Sequence, residues 1–226
     1  MKNKIRFTFF TLFLIFIINI ADAERFRAGL TLGVTATDID GMDTHDQDND
    51  FYKLGFALGG IINTKLNAKN DLQVEINYIK KGTMQLPDSN NNGYYKLALD
   101  YIEVPFILRH HVKFNMGKME VNKFDLELGA SVGRLVNSSW ERGNYQYDID
   151  MSMINSTDVS LLVGLSYNFS SHVNLNFRYS NSVIPSVKQN VIPGYLITYY
   201  YNSGNNMVFQ MSLKFIFGGS AEKEKP

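Results

Sequence analysis

The 226-residue chain has no cysteine, one tryptophan, five prolines and no net formal charge. The absence of cysteine excludes a disulfide framework, a thiolate metal site and a lipid-anchored cysteine, and leaves the redox compartment unmarked. With 22 Lys+Arg against 22 Asp+Glu there is no basic footprint, so no nucleic-acid partner is expected. Long apolar runs are scarce too. Beyond the N-terminal segment no stretch is apolar for the ~20 residues a membrane helix needs, so any membrane crossing must be made by strands. Neither a G-x-S-x-G elbow nor an H-E-x-x-H helix occurs. The four histidines are His45, His110, His111 and His172, and none has a recognisable nucleophile and orienting acid around it.

The N-terminal segment is the exception to the scarcity of apolar runs. Lys2, Lys4 and Arg6 precede an apolar run from Phe7 to Ile20, and Ala21-Asp22-Ala23 follows. This reads as a cleaved signal peptide, 1–23, with an A-x-A site and a mature chain beginning at Glu24. The run is too short for a spanning anchor. Cleavage leaves 19 Lys+Arg and 21 Asp+Glu, a net charge of about −2.

Strict alternation dominates the rest. Val159, Leu161, Val163, Leu165, Tyr167 and Phe169 alternate with Ser160, Leu162, Gly164, Ser166 and Asn168. After Ser170-Ser171-His172 the alternation resumes with Val173, Leu175, Phe177 and Tyr179 against Asn174, Asn176, Arg178 and Ser180. That is a hairpin with one apolar face, and its other face is small and polar, unlike a solvated sheet rich in Lys, Glu and Thr. The same pattern predicts strands over Phe26–Ala36, Tyr52–Leu66, Asp71–Lys81, Tyr95–Phe114, Phe124–Val132 and Met207–Phe217. In the fourth, Leu97, Leu99 and Tyr101 have the opposite parity to Ile102, Val104, Phe106 and Leu108, so a β-bulge is expected near Asp100. The connections alternate long and short, and the long ones include Gly82–Gly93, Asn137–Thr157 and Asn181–Asn206.

These features predict an all-β fold, an eight-stranded antiparallel up-and-down transmembrane β-barrel over 24–217, with a flexible tail over 218–226. The apolar face turns to lipid. Inward glycines such as Gly29, Gly33, Gly55, Gly59, Gly129, Gly133 and Gly164 suit a ring just wide enough for side chains. Expected inward charges are Arg27, Lys53, Glu75, Glu103, Arg109, Asp125, Glu127, Arg178 and Lys214, and they predict an interior plugged by ion pairs. Lys53 and Glu75, inward on adjacent strands, are the first pair expected. Tyr52, Tyr78, Tyr167, Phe169, Tyr179, Phe215 and Phe217 are expected at the interfaces. The loop 38–50 holds Asp38, Asp40, Asp43, Asp46, Asp48 and Asp50, which invites a calcium reading. Phe51 stands where an EF-hand requires glycine and Ala57 where it requires an acid, so a solvated acidic loop is the better reading. No catalytic, cofactor-binding or metal-binding residue is assigned.

Leu72-Gln-Val-Glu75-Ile-Asn-Tyr78-Ile-Lys-Lys81-Gly82 and Tyr101-Ile-Glu103-Val-Pro105 resemble the recurrent motifs of PorT-like outer-membrane β-barrel proteins of Bacteroidota. The resemblance spans roughly Phe26 to Phe217. It implies an integral protein of a Gram-negative outer membrane, with outer-membrane lipid, the barrel-insertion machinery and an envelope or secretion-complex protein as partners. The member that names the family is associated with protein export. The tail after Phe217 departs from the pattern, because such barrels usually end at the aromatic residue. Two alternatives stay open at this point: an outer-membrane barrel enzyme that modifies lipid, and a soluble secreted lipocalin-like barrel that binds an apolar ligand.

Overall fold

The computed structural model describes residues 26–40, 51, 53–87, 94–116, 119–142, 145–147, 154–188 and 204–217. The expected signal peptide 1–23, most of the aspartate-rich loop and the tail 218–226 lie outside the described residues. So do Tyr52, the Asn tract, the turn at 117–118 and much of the later two long loops. The strands are β1 (Phe26–Asp40), β2 (Lys53–Lys65), β3 (Asn70–Gln85), β4 (Tyr95–Met116), β5 (Met119–Arg142), β6 (Tyr145–Tyr147), β7 (Thr157–Asn168), β8 (Val173–Ser182) and β9 (Asn205–Phe217).

Eight of these strands pair antiparallel with their chain neighbours, and β9 pairs with β1, so the sheet closes into an up-and-down ring. Among the described residues β6 alone stands outside it, paired to the far end of β5 through Trp140, Glu141 and Arg142. Closure removes every exposed edge from the ring. Short turns are fixed by polar side chains. Asn67 Oδ1 accepts the backbone N–H of Lys69 at 2.9 Å and of Asn70 at 3.0 Å, and Ser170 Oγ accepts those of His172 and Val173.

Period-two alternation decides what each face meets. On β5, Leu126, Leu128 and Val132 are at least half exposed, whereas Asp125, Glu127 and Ser131 between them are buried. The other ring strands repeat this, with Leu30, Leu54, Ile76, Phe106, Leu161, Phe177 and Phe209 outward. A continuous apolar exterior on this scale is insoluble in water and requires lipid. From Phe124 to Val132 the outward row covers about 27 Å of strand, or roughly 20 Å of height at a tilt of ~40°, most of the ~25 Å apolar band of an outer-membrane barrel. The arrangement overturns the soluble lipocalin-like alternative, which would need the large apolar residues inside and the charges outside. Aromatic pairs sit at the ends of the row: Phe124 against Tyr167, Tyr167 against Phe169, and Tyr179 against Phe209.

Three expectations need correction. Several strands run further than the alternation predicted: β1 continues to Asp40, β3 to Gln85 and β5 to Arg142, so residues 137–142 of the expected polar loop are strand. Backbone pairing continues past the apolar belt because β4 and β5 supply each other's hydrogen bonds there. The register does shift at Asp100/Tyr101, but the extra residue is Val136 on β5, between Leu135 and Asn137. β4 keeps its parity, so Leu97, Leu99 and Tyr101 stay inside the ring, fully or nearly fully buried.

The face assignment makes a quantitative prediction. Val163→Arg or Leu128→Arg should cost about 2–4 kcal/mol in reversible unfolding from lipid vesicles if the position lies near the bilayer midplane. Ser166, fully buried and hydrogen-bonded to Glu127, should fail on substitution by Arg through crowding, visible as loss of the folded band. Val163→Arg unfolding at the wild-type denaturant concentration would contradict the assignment.

Candidate functional site

The interior is built in three charged layers, each drawing on strands distant in sequence. In the middle layer two carboxylates and two bases from β3, β5, β8 and β9 meet. Arg178 donates from Nη1 to Glu75 Oε2 at 3.0 Å and from Nη2 to Glu75 Oε1 at 2.9 Å, and Nη2 also reaches Glu127 Oε2 at 2.9 Å. Lys214 Nζ lies 3.0 Å from Glu127 Oε1 and 3.2 Å from Glu75 Oε1. The quartet is neutral as a whole, and none of its side chains is more than 4% exposed. Neutral donors complete both carboxylates: Gln73 Nε2 at 2.5 Å and Asn77 Nδ2 at 2.7 Å on Glu75, and Ser166 Oγ at 2.9 Å on Glu127. Such completion is what makes burial of paired ions tolerable.

Arg109 on β4 joins this layer to the one nearer the short turns. Its Nε is 3.5 Å from Glu127 Oε1, its Nη1 donates to Gln73 Oε1, and its Nη2 is 2.6 Å from Asp125 Oδ2. Asp125 is also 2.7 Å from His111 Nδ1, and the opposite ring nitrogen, Nε2, is 3.3 Å from Asp71 Oδ1. Two carboxylate acceptors on the two nitrogens suit an imidazolium, which donates from both. Arg27 Nη2 ends the chain, 2.9 Å from Asp71 Oδ2 and 2.8 Å from Asn63 Oδ1.

The third layer lies toward the long loops. Lys81 Nζ pairs with Glu103 and, at 2.8 Å, with Asp158 Oδ2. Asp158 also accepts hydrogen bonds from Ser182, Ser160 and Asn206. Beyond it the interior turns apolar: Ile39, Ile79, Leu97, Leu99, Leu135 and Val208 cluster with Tyr101 and Ile154. Two loop segments are tied over this cluster. Ile154 forms a β-bridge with Val187, and Val187 with Gly204. Asn206 Nδ2 holds Ser186 Oγ at 2.6 Å.

All nine inward charges expected from the sequence turn into the ring: Lys53, Glu75, Glu103, Arg109, Asp125, Glu127, Arg178 and Lys214 are buried, and Arg27 is part-buried. The expected Lys53–Glu75 pair does not form. Glu75 stands opposite Ile61 on β2, whereas Lys53 lies eight residues away, opposite Thr37 on β1, which is roughly 26 Å of strand. Adjacent strands and shared parity do not give shared height. The Lys53 stem instead passes Gly82, whose φ of 121° only glycine adopts readily and where a Cβ would come 3.2 Å from Lys53 Cε.

Sequence reasoning missed Asp71, Lys81, His111 and Asp158, all of which carry ion pairs inside the ring. The signal was present, because each shares the parity of its strand's inward residues. They fell at strand ends, where alternation no longer stands out. Asp38, from the aspartate-rich loop, also turns inward and accepts Thr83 Oγ1 at 2.6 Å. His110 points the other way from His111, exposed, with Nδ1 2.8 Å from Asn70 Oδ1. Among the described residues no three His, Cys, Asp or Glu are grouped to hold a metal ion.

The middle layer predicts a specific pattern of coupling. Glu75→Ala leaves Arg178 and Lys214 with one carboxylate between them and should cost about 3–5 kcal/mol in vesicle unfolding. Adding Lys214→Met should recover part of that loss, and adding Lys53→Ala should recover none. Rescue by Lys53→Ala in a double-mutant cycle would contradict the geometry.

The family model for the outer membrane protein beta-barrel domain matches residues 20–188. Among solved structures the chain is similar to Ail, the attachment invasion locus protein of Yersinia pestis, at 11% identity and a TM-score of 0.48 over 86% of this chain and 99% of that one. It is similar also to Neisserial surface protein A, at 14% identity and a TM-score of 0.42 over 85% of this chain and 97% of that one. For OprG of Pseudomonas aeruginosa the values are 11% and 0.30, over 85% and 94%. No curated protein matches the sequence. With an apolar exterior, a charged interior and a family match over most of its length, the chain belongs to the outer membrane protein beta-barrel domain family and is an integral protein of the outer membrane.

Proposed function

We propose that this barrel has a plugged interior, carries out no catalysis, and serves as a rigid outer-membrane anchor whose activity resides at its long-loop end, through a protein partner in the cell envelope. The observation that carries this reading is the stack of three charged layers under an apolar cluster and two stapled loop segments. A ring of this size has room only for side chains, and here the side chains are paired with one another. The partner is expected where chain extends beyond the ring, at the outer ends of β3, β4 and β5 with β6. The PorT-like motifs at Leu72–Gly82 and Tyr101–Pro105 make an export-associated envelope complex the partner class to test first. A role for the barrel as a lipid-modifying enzyme is disfavoured by His111, both of whose nitrogens are engaged by carboxylates. His110 and His172 have only Asn70 and Ser171 as side-chain partners.

Because the natural chain has no cysteine, single-cysteine variants test the sidedness directly. Leu86→Cys, exposed just past the end of β3, and Trp140→Cys should react with a membrane-impermeant maleimide on intact cells. Asn67→Cys and Ser171→Cys should react only after lysis. A photo-crosslinker at Leu86 should then capture one discrete envelope protein, and one at Ser171 should not. Labelling of Ser171→Cys on intact cells, or capture from Ser171 alone, would contradict the proposal.

A further inference from the structure

Among the described residues, the outer wall near the long loops holds a cation, Arg134, without a carboxylate counter-ion. On β4, β5 and β7 the outward positions next to Ile102, Val132 and Val159 toward the long loops are Asp100, Arg134 and Thr157, with the bulged Val136 exposed beyond Arg134. Arg134 is exposed. Its Nη1 donates to Ser156 Oγ at 2.8 Å and to Thr157 Oγ1 at 3.4 Å. These hydroxyls hold the guanidinium without neutralising it, and no carboxylate among the described residues pairs with it.

The neighbouring acid is already engaged. Asp100 Oδ2 accepts from Tyr78 Oη at 2.7 Å and from Asn137 Nδ2 at 3.1 Å, and it lies 3.7 Å from Lys80 Nζ. Lys80 in turn sits over the Phe56 ring, 5.4 Å from its centre. Among the described residues this stretch of wall therefore carries a compensated cation, Lys80, and an uncompensated one, Arg134, two strands apart and two residues out of line across β4, about 12 Å between backbones.

The height of Arg134 selects the counter-ion. It follows directly on the apolar belt, so its head lies at the level of the lipid headgroups, where the abundant anion is phosphate. With Nη1 occupied, Nε and Nη2 remain, and that edge presents two parallel N–H donors matching two oxygens of one phosphate. We propose that Arg134 binds the phosphate of a membrane lipid in the leaflet at the long-loop end, pinning one face of the barrel to that lipid.

The test uses the full barrel purified in dodecyl maltoside. It is titrated with dioleoyl phosphatidic acid and with dioleoylglycerol, which has the same chains and no phosphate, and bound lipid is counted by native mass spectrometry. The phosphatidic acid should bind more tightly. Arg134→Gln should weaken that binding about tenfold, as expected for loss of a charge-assisted hydrogen bond, and leave dioleoylglycerol unchanged. Arg134→Lys keeps the charge without the fork and should fall between; it also carries the test if Arg134→Gln fails to show the folded, heat-modifiable gel band. Lys123→Gln, at the short-turn end, should change neither lipid, and millimolar inorganic phosphate should not displace the phosphatidic acid. Wild-type affinity in both Arg134 variants, an equal loss in Lys123→Gln, or displacement by inorganic phosphate would overturn the proposal.

Discussion

In the middle of this ring of eight strands the charged side chains are buried, and a buried charge needs a counter-ion within the width of the ring. The rest of the molecule follows from that constraint. It explains why acids and bases balance in the middle layer, where Glu75 and Glu127 face Arg178 and Lys214. It also explains the Ser, Asn and Gln around that layer: Gln73, Asn77 and Ser166 complete the carboxylates without demanding much space. The exterior faces the opposite requirement, since lipid offers no hydrogen bond and excludes the charges that the interior collects.

The same constraint fixes register. Arg178 on β8 is opposite Gly164 on β7 and Gln210 on β9, yet its guanidinium crosses the ring to Glu75 on β3. A slip of one residue would turn Arg178 into lipid, and a slip of two would carry it about 6–7 Å along the strand, away from both carboxylates. Cross-ring ion pairs therefore tie together strands that share no backbone hydrogen bond. Against the two-residue slip hydrophobic burial does little of this work, because the large apolar side chains face lipid before and after it. The exception is the apolar cluster around Leu99 and Tyr101, which closes the long-loop end with packing in place of charge.

How much of this was legible in the sequence depends on whether a property is local. Which way a side chain points is local: period-two alternation assigned Glu127 and Arg178 to the interior and Leu128 and Phe177 to lipid. Height is not local, because it depends on the tilt and stagger of the closed ring. The expected Lys53–Glu75 pair failed for that reason, and the true partners of Glu75 lie on β8 and β9. Leu97 and Leu99 misled differently. Apolar residues of inward parity looked like a change of face, when the interior itself becomes apolar at that end. Lys81 and Asp158 escaped notice because they lie where alternation gives way to loop sequence.

For function, the geometry separates the wall from the ends. The wall is charged inside and apolar outside, and the interaction surfaces proposed above are the long-loop end and the surface around Arg134. The central claim is that the paired interior leaves no continuous path for water and ions. Planar-bilayer recording on the purified wild-type barrel tests it most directly: the account predicts no stable unitary conductance at either polarity, and steady single-channel currents would contradict it.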